Sequence, residues 1–254
     1  FDLAAGTTDR ITLFDGINSL TTTAVETVTG GTGADTLTLA DASTGGVFNL
    51  GAGADKITLA AGTNTLTASN IESVVGVGGD DTVTLGAAIT GASIDLAAGT
   101  DQLNLADGTN AVIATGIETI IGNSGADTVT LSAAQAAGNI DLGAGTADRL
   151  NLAAGGNTLT VSGTESLTGG AGDDVITLGA GISGANIDLA GGTGDTLNLS
   201  VENHNLTLSN IETVTGDVGD DTIAFATVVT SGVYDLGVGA DQVTLGNGTA
   251  ANTI

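Results

Sequence analysis

Eleven aspartates leave glycine-rich loops at regular intervals, and these are the residues of the chain whose type and spacing best suit chemistry. In one series, Gly30-Gly31-Thr32-Gly33-Ala34-Asp35-Thr36-Leu37 fits the pattern G-G-x-G-x-D-x-U-x in full, U being a large apolar residue. The segment with Gly169, Gly172 and Asp174 fits it too. Copies with Gly76, Gly79 and Asp81, with Gly122, Gly125 and Asp127, and with Gly216, Gly219 and Asp221 keep the first and fourth glycines, the aspartate and the apolar residue. A second, looser series, typified by LGAGADKI, supplies Asp9, Asp55, Asp101, Asp148, Asp195 and Asp241. Glycine turns aim backbone carbonyls into a loop, and an aspartate at the exit adds a carboxylate. Such oxygen donors suit Ca²⁺, a hard cation that takes about six to eight oxygens in flexible geometry. One loop supplies part of a shell, and two loops stacked on successive coils can close it, so ion binding and folding are coupled. For the second series, a plain tight turn in which the side chain bonds local backbone competes with the metal reading. The only basic residues, Arg10, Lys56 and Arg149, directly follow aspartates of that series, where they could compete with a cation or reduce repulsion between rungs.

The elements that position these loops follow from a tandem repeat. Glu26, Glu72, Glu118, Glu165 and Glu212 lie 46, 46, 47 and 47 residues apart, each in a phrase of the type IETVTG. A second phrase recurs in the same register, from FDLAAG at Phe1 through IDLAAG to YDLGVG at Tyr234. Residues 1–254 therefore read as a single array of about five units of 46–47 residues, without a linker or a second domain. Within a unit, apolar residues alternate over runs of three to five, as in Asp81-Thr82-Val83-Thr84-Leu85, bounded by Gly, Asn and Asp. Period two over such short runs predicts half-buried strands. Connections this tight leave no room for crossover helices. The predicted fold is all-β: a right-handed parallel β-roll or β-helix solenoid. With two strands per coil, five strands per unit would move equivalent loops to opposite edges in alternate units; a three-sided coil is the alternative. Leu, Ile, Val and Ala point inward, and Phe1, Phe48 and Tyr234 fill the inward position held elsewhere by Ile94, Ile140 and Ile187.

The glycine-aspartate loops resemble the RTX (hemolysin-type) calcium-binding nonapeptide family, whose members form parallel β-rolls. The resemblance runs essentially the full length of the chain. It implies several Ca²⁺ ions held between loops, with Asp35, Asp81, Asp127, Asp174 and Asp221 as the foremost side-chain ligands. It also implies a secreted or cell-surface bacterial protein, exported by Gram-negative type I secretion: a surface layer, adhesin or extracellular filament. The chain departs from the family in that strict nonapeptides do not follow one another and several loops lack the second glycine.

Composition narrows the functions further. There are 29 acidic residues against three basic ones, a formal charge of −26, and no cysteine. That excludes disulfide scaffolds and thiolate metal sites. It also disfavours nucleic acid, which needs clustered Lys and Arg. No apolar run reaches the roughly 18 residues that a membrane helix requires. At 41% hydrophobic residues, the composition argues against disorder despite 42 glycines. No catalytic residues are assigned, and an enzyme is not expected: His204 is the only histidine, read as a surface turn residue, and carboxylate pairs such as Asp80-Asp81 recur in loops instead of occurring once. The register glutamates are read as a solvated column. Calcium and further copies or flanking repeats are the expected partners, and the chain reads as a stretch of a longer protein. The expected role is a calcium-clamped structural module that winds on binding the ion. The alternatives are a module recognising glycan or ice, through outward threonines such as Thr36/Thr38, and the C-terminal repeat module of a secreted enzyme.

Overall fold

The computed structural model describes residues 8–246. The chain divides into two compact units, Phe1–Ser124 and Gly125–Ile254. In the first, strands Arg10–Thr12, Thr27–Thr29, Thr44–Asn49, Thr65–Ser69, Thr82–Leu85, Gln102–Asn104 and Thr119–Ile121 form one sheet. The strands between them, Ser19–Thr22, Thr36–Leu39, Lys56–Thr58, Ser73–Val75, Thr90–Asp95 and Ala111–Thr115, form the other. The second unit repeats this arrangement. Thr128–Leu131, Arg149–Asn151, Ser166–Thr168, Ser183–Asp188, Asn205–Ser209, Thr222–Phe225 and Gln242–Thr244 face the sheet of Asn139–Asp141, Thr158–Ser162, Val175–Leu178, Thr196–Asn198, Thr213–Thr215 and Val233–Asp235. Every pairing is parallel and joins a strand to the next but one, and the described residues contain no helix. Each unit is thus a parallel β-solenoid with two strands per turn.

The structural repeat is the turn, not the 46–47-residue unit. Arg10 pairs with Thr27 and Thr27 with Val47, steps of 17 and 20 residues. Five strands per sequence unit make two and a half turns, so equivalent strands alternate between sheets: Thr36–Leu39 and Thr82–Leu85 lie in opposite sheets of the first unit. The expectation of five structural repeats is corrected accordingly, and the coil is two-sided. The sequence period is longer because the same chemistry returns only after two and a half turns, on the opposite sheet.

The core lies between the two sheets, filled by the inward half of each alternating strand. Val28, Phe48, Ala68 and Leu85 form one column on successive turns, all buried, with the largest side chain beside the smallest. Leu37, Ile57, Val74 and Ile94 form a column in the opposing sheet. Full burial of one such side chain favours the folded state by about 1.5–3 kcal/mol. Phe48 is core filler as expected; Tyr234 is half-buried, stacks on Phe225 at 4.6 Å and donates its hydroxyl to the Ile211 carbonyl. Phe1 lies outside the described residues.

Candidate functional site

Glycine is required at two points of the first-series loops. The fourth glycines, Gly33, Gly79, Gly125, Gly172 and Gly219, have φ between +114° and +159°, a region other residues rarely adopt. The first glycines allow neighbouring turns to touch: a Cβ on Gly30, Gly76, Gly169 or Gly216 would overlap the carbonyl oxygen of Leu50, Leu96, Leu189 or Leu236. Gly122 is buried at the end of Thr119–Ile121. Each loop then delivers its aspartate at the start of the following strand.

There the aspartates turn inward. Asp35, Asp81, Asp127, Asp174 and Asp221 are buried, as are Asp55, Asp101, Asp148 and Asp195, while Asp9 and Asp241 are half-buried. The two series stack on consecutive turns. The backbone N–H of Asp35 donates to Asp55 Oδ1, as do those of Asp81, Asp127 and Asp174 to Asp101, Asp148 and Asp195, each at 2.7 Å; Asp221 donates to Asp241 at 3.0 Å. Asp9 stands apart, since no first-series loop precedes it among the described residues. The next rung is the register glutamate. Oε2 of Glu26, Glu72, Glu118, Glu165 and Glu212 accepts the N–H of Asp9, Asp55, Asp101, Asp148 and Asp195 at 2.6–3.0 Å. The rung before is asparagine. Asn18, Asn64 and Asn157 each donate both the backbone N–H and Nδ2 to Oδ1 of Asp35, Asp81 and Asp174.

Sequence reasoning missed these flanking rungs. The glutamates cap buried N–H groups instead of forming a solvated column. The asparagines recur as the last residue of a G-x-N turn at the unit's own spacing, which was the available signal. His204 is corrected from a surface residue to a buried one. It occupies the asparagine position, with its N–H on Asp221 Oδ1 at 2.9 Å, its Nδ1 accepting from Ile182 N–H, and its Nε2 3.1 Å from Ser200 Oγ. Burial lowers its pKa, against the opposing pull of the Asp221 charge. The Asp80-Asp81 pair splits: Asp81 points inward, while Asp80 accepts the Thr100 N–H at the surface. Arg10, Lys56 and Arg149 are exposed on the outward side.

One oxygen remains unused in seven of the ladder aspartates. Oδ2 of Asp35, Asp55, Asp81, Asp101, Asp148, Asp174 and Asp195 is buried and has no hydrogen-bond partner. A carboxylate in that position is costly unless it is protonated or paired with a cation. Burial pushes the carboxyls of Asp55, Asp101, Asp148 and Asp195 up, Asp101 to about 6; the N–H of the preceding aspartate opposes the shift and neighbouring carboxylate charges add to it. Beside each stacked pair, the carbonyl of the fourth glycine faces a glycine two or three residues before the second-series aspartate, close to that aspartate's carboxylate. A Cβ on Gly53 would overlap the Gly33 carbonyl oxygen and lie 2.9 Å from Asp55 Oδ1, and Gly99 stands likewise under Gly79 and Asp101. Gly145, Gly192 and Gly239 hold the same place toward Gly125 and Asp148, Gly172 and Asp195, and Gly219 and Asp241. Among the described residues no three acidic or histidine side chains gather closely enough to hold a metal by themselves. The donor set is therefore two carboxylates and glycine carbonyls, all oxygen, which fits a hard cation and not zinc or copper.

No protein-family model, curated protein or solved structure matches the chain.

Proposed function

We propose that the chain is a calcium-binding structural module of a secreted or cell-surface protein, with one ion at each junction of a first-series loop and the second-series loop on the next turn. The five junctions pair Asp35 with Asp55, Asp81 with Asp101, Asp127 with Asp148, Asp174 with Asp195, and Asp221 with Asp241. The fourth glycine of each first-series loop adds its carbonyl. In this reading the two series are halves of one set of sites, and Asp9 belongs to none. The observation that carries it is the recurrence, on stacked turns, of buried aspartate oxygens without partners, with a glycine carbonyl near the second-series carboxylate. The RTX resemblance supports the same ion and an extracellular setting, where calcium is abundant. The winding is taken as right-handed, as parallel crossovers nearly always are. The role is structural, not catalytic: the ion supplies charge neutralisation and holds successive turns together.

Calorimetric titration with calcium, paired with circular dichroism under EGTA, tests this. About five ions per chain are expected, with a weaker β signal and a lower melting midpoint on chelation and recovery of both on re-addition. Asp101→Asn, which keeps an acceptor for the Asp81 N–H but removes the charge, should reduce the count by one. A chelated protein with an unchanged spectrum and melting midpoint, and no calcium heat, overturns the reading.

A further inference from the structure

Three polar residues coincide in the first unit at positions that are mostly apolar in the others. Thr22 stands at an inward position held by Ala68, Ala114, Val161 and Leu208 in the other units. Asp41 stands where Ala87, Ala133, Ala180 and Thr227 do, and Ser43 where Ile89, Gln135, Ile182 and Val229 do. Although Thr22 is 19 residues from Asp41, all three line one cavity of about 220 Å³ together with Glu26, Val25 and Leu39. Thr22 is 2% exposed and its hydroxyl has no hydrogen-bond partner. A buried threonine in an apolar column is destabilising relative to the residues its equivalents use, unless something completes its hydrogen bond.

The walls are held in place. Glu26 Oε2 accepts the Asp9 N–H, and the Glu26 N–H bonds back to the Asp9 carbonyl. The Ser43 N–H is fixed on Asn64 Oδ1 at 3.0 Å. Glu26, Asp41, Thr22 and Ser43 line the hollow together with the buried Val25 and Leu39. The wall has no basic residue, which rules out an anion. Its volume and apolar floor exceed what a bare ion needs. Vicinal hydroxyls bonding to carboxylates, with a C–H face laid on aliphatic side chains, describe a pyranose.

We propose that this cavity is a binding site for a single neutral or amine-bearing pyranose unit, separate from the aspartate junctions. The corresponding corner of the last unit, beside Glu212, is a control within the same chain. It is smaller, about 100 Å³, and presents Thr227, Val228 and Val229 in place of Asp41, Ala42 and Ser43.

The test is titration of the calcium-saturated, isotope-labelled protein with methyl glycosides of glucose, galactose, mannose and glucosamine, and with glucuronate, read by amide shifts in NMR. At least one neutral or amino glycoside should shift the amides of residues 22–26 and 41–46 in a saturable way, and glucuronate should not. Asp41→Ala should weaken binding about tenfold and Thr22→Val about fivefold, the scale of one lost hydrogen bond. Because Thr22→Val removes an unpartnered hydroxyl, its melting midpoint should equal or exceed that of the parent, separating lost binding from lost folding. Absence of saturable shifts with every neutral and amino glycoside overturns the proposal. So does equal binding by Thr22→Val and Asp41→Ala, or equal binding of glucuronate.

Discussion

Ala97 and Ala190 hold φ of +70° and +64°, each as the third residue of a turn whose first residue, Asp95 or Asp188, accepts its N–H at 3.0 Å. Gly51, Gly143 and Gly237 occupy the same place in the other units, at φ of +82° to +92°. A Cβ in this region clashes with its own carbonyl, at a cost of about 1 kcal/mol. Ala97→Gly and Ala190→Gly should therefore each stabilise the chain, by about 0.5 kcal/mol after the added freedom of the unfolded glycine is set against the relieved strain. Urea denaturation checks this, and a lower midpoint in both variants contradicts it. Individual residues differed in how far the sequence exposed them. The loop aspartates and the fourth glycines were legible because a carboxylate after a positive-φ glycine is rare and specific. Asn64, Asn157 and the register glutamates were not, because a polar residue beside a turn looks solvent-facing until the next turn is known to lie over it. His204 was misread for the same reason.

At the scale of the element, each corner is a ladder in which one turn's N–H is received by a side chain of the next turn, through Asn64, Asp81, Asp101 and Glu118 for example. Strand identity and alternation could be read from period two, since inward and outward residues differ so sharply in polarity. The turn length depended on whether the coil has two sides or three, which the sequence left open, because a half-integral ratio between sequence unit and coil hides the 17- to 21-residue step behind a period of 46–47. The ladder also sets a pH response. Asp101 shifts from 3.8 to about 6, through burial and the charges of Asp81, Glu118 and Asp80, outweighing the Asp81 N–H. Between those values the folded chain holds more protons than the unfolded one, so metal-free stability falls as pH rises through the interval. The shifts of Asp55, Asp148 and Asp195 have the same sign. Metal-free protein should accordingly melt higher at about pH 5 than at about pH 7. With calcium present the order should reverse, because protons displace the ion from its carboxylates. Calorimetric scans with EGTA and with calcium distinguish the two; a metal-free midpoint that climbs from the lower to the higher pH refutes the assignment.

For the molecule as a whole, the formal charge of −26 comes from 29 acidic residues opposed by three cations. Eleven of those carboxylates belong to the two loop series, and most are buried in the corners instead of spread over the surface. Five divalent ions at the paired junctions would cancel ten of the 26 negative charges, and they would do so where the dielectric is low and repulsion strongest. The exposed acidic groups, such as Asp15, Asp80, Asp107, Asp141 and Glu202, respond to ionic strength, whose screening length falls from about 30 Å in dilute buffer to about 3 Å at molar salt. Two populations of charge should therefore separate in a salt titration. In metal-free protein, added sodium chloride should raise the melting midpoint by relieving surface repulsion, but it cannot reach the buried aspartates and should not restore the stability that calcium confers. In calcium-saturated protein the slope should be shallower, since less net charge remains to be screened. Differential scanning calorimetry across a sodium chloride series, with and without calcium, measures both slopes. If high sodium chloride alone brings the metal-free protein to the calcium-saturated midpoint, diffuse screening accounts for the stabilisation and the corner aspartates hold no specific ion.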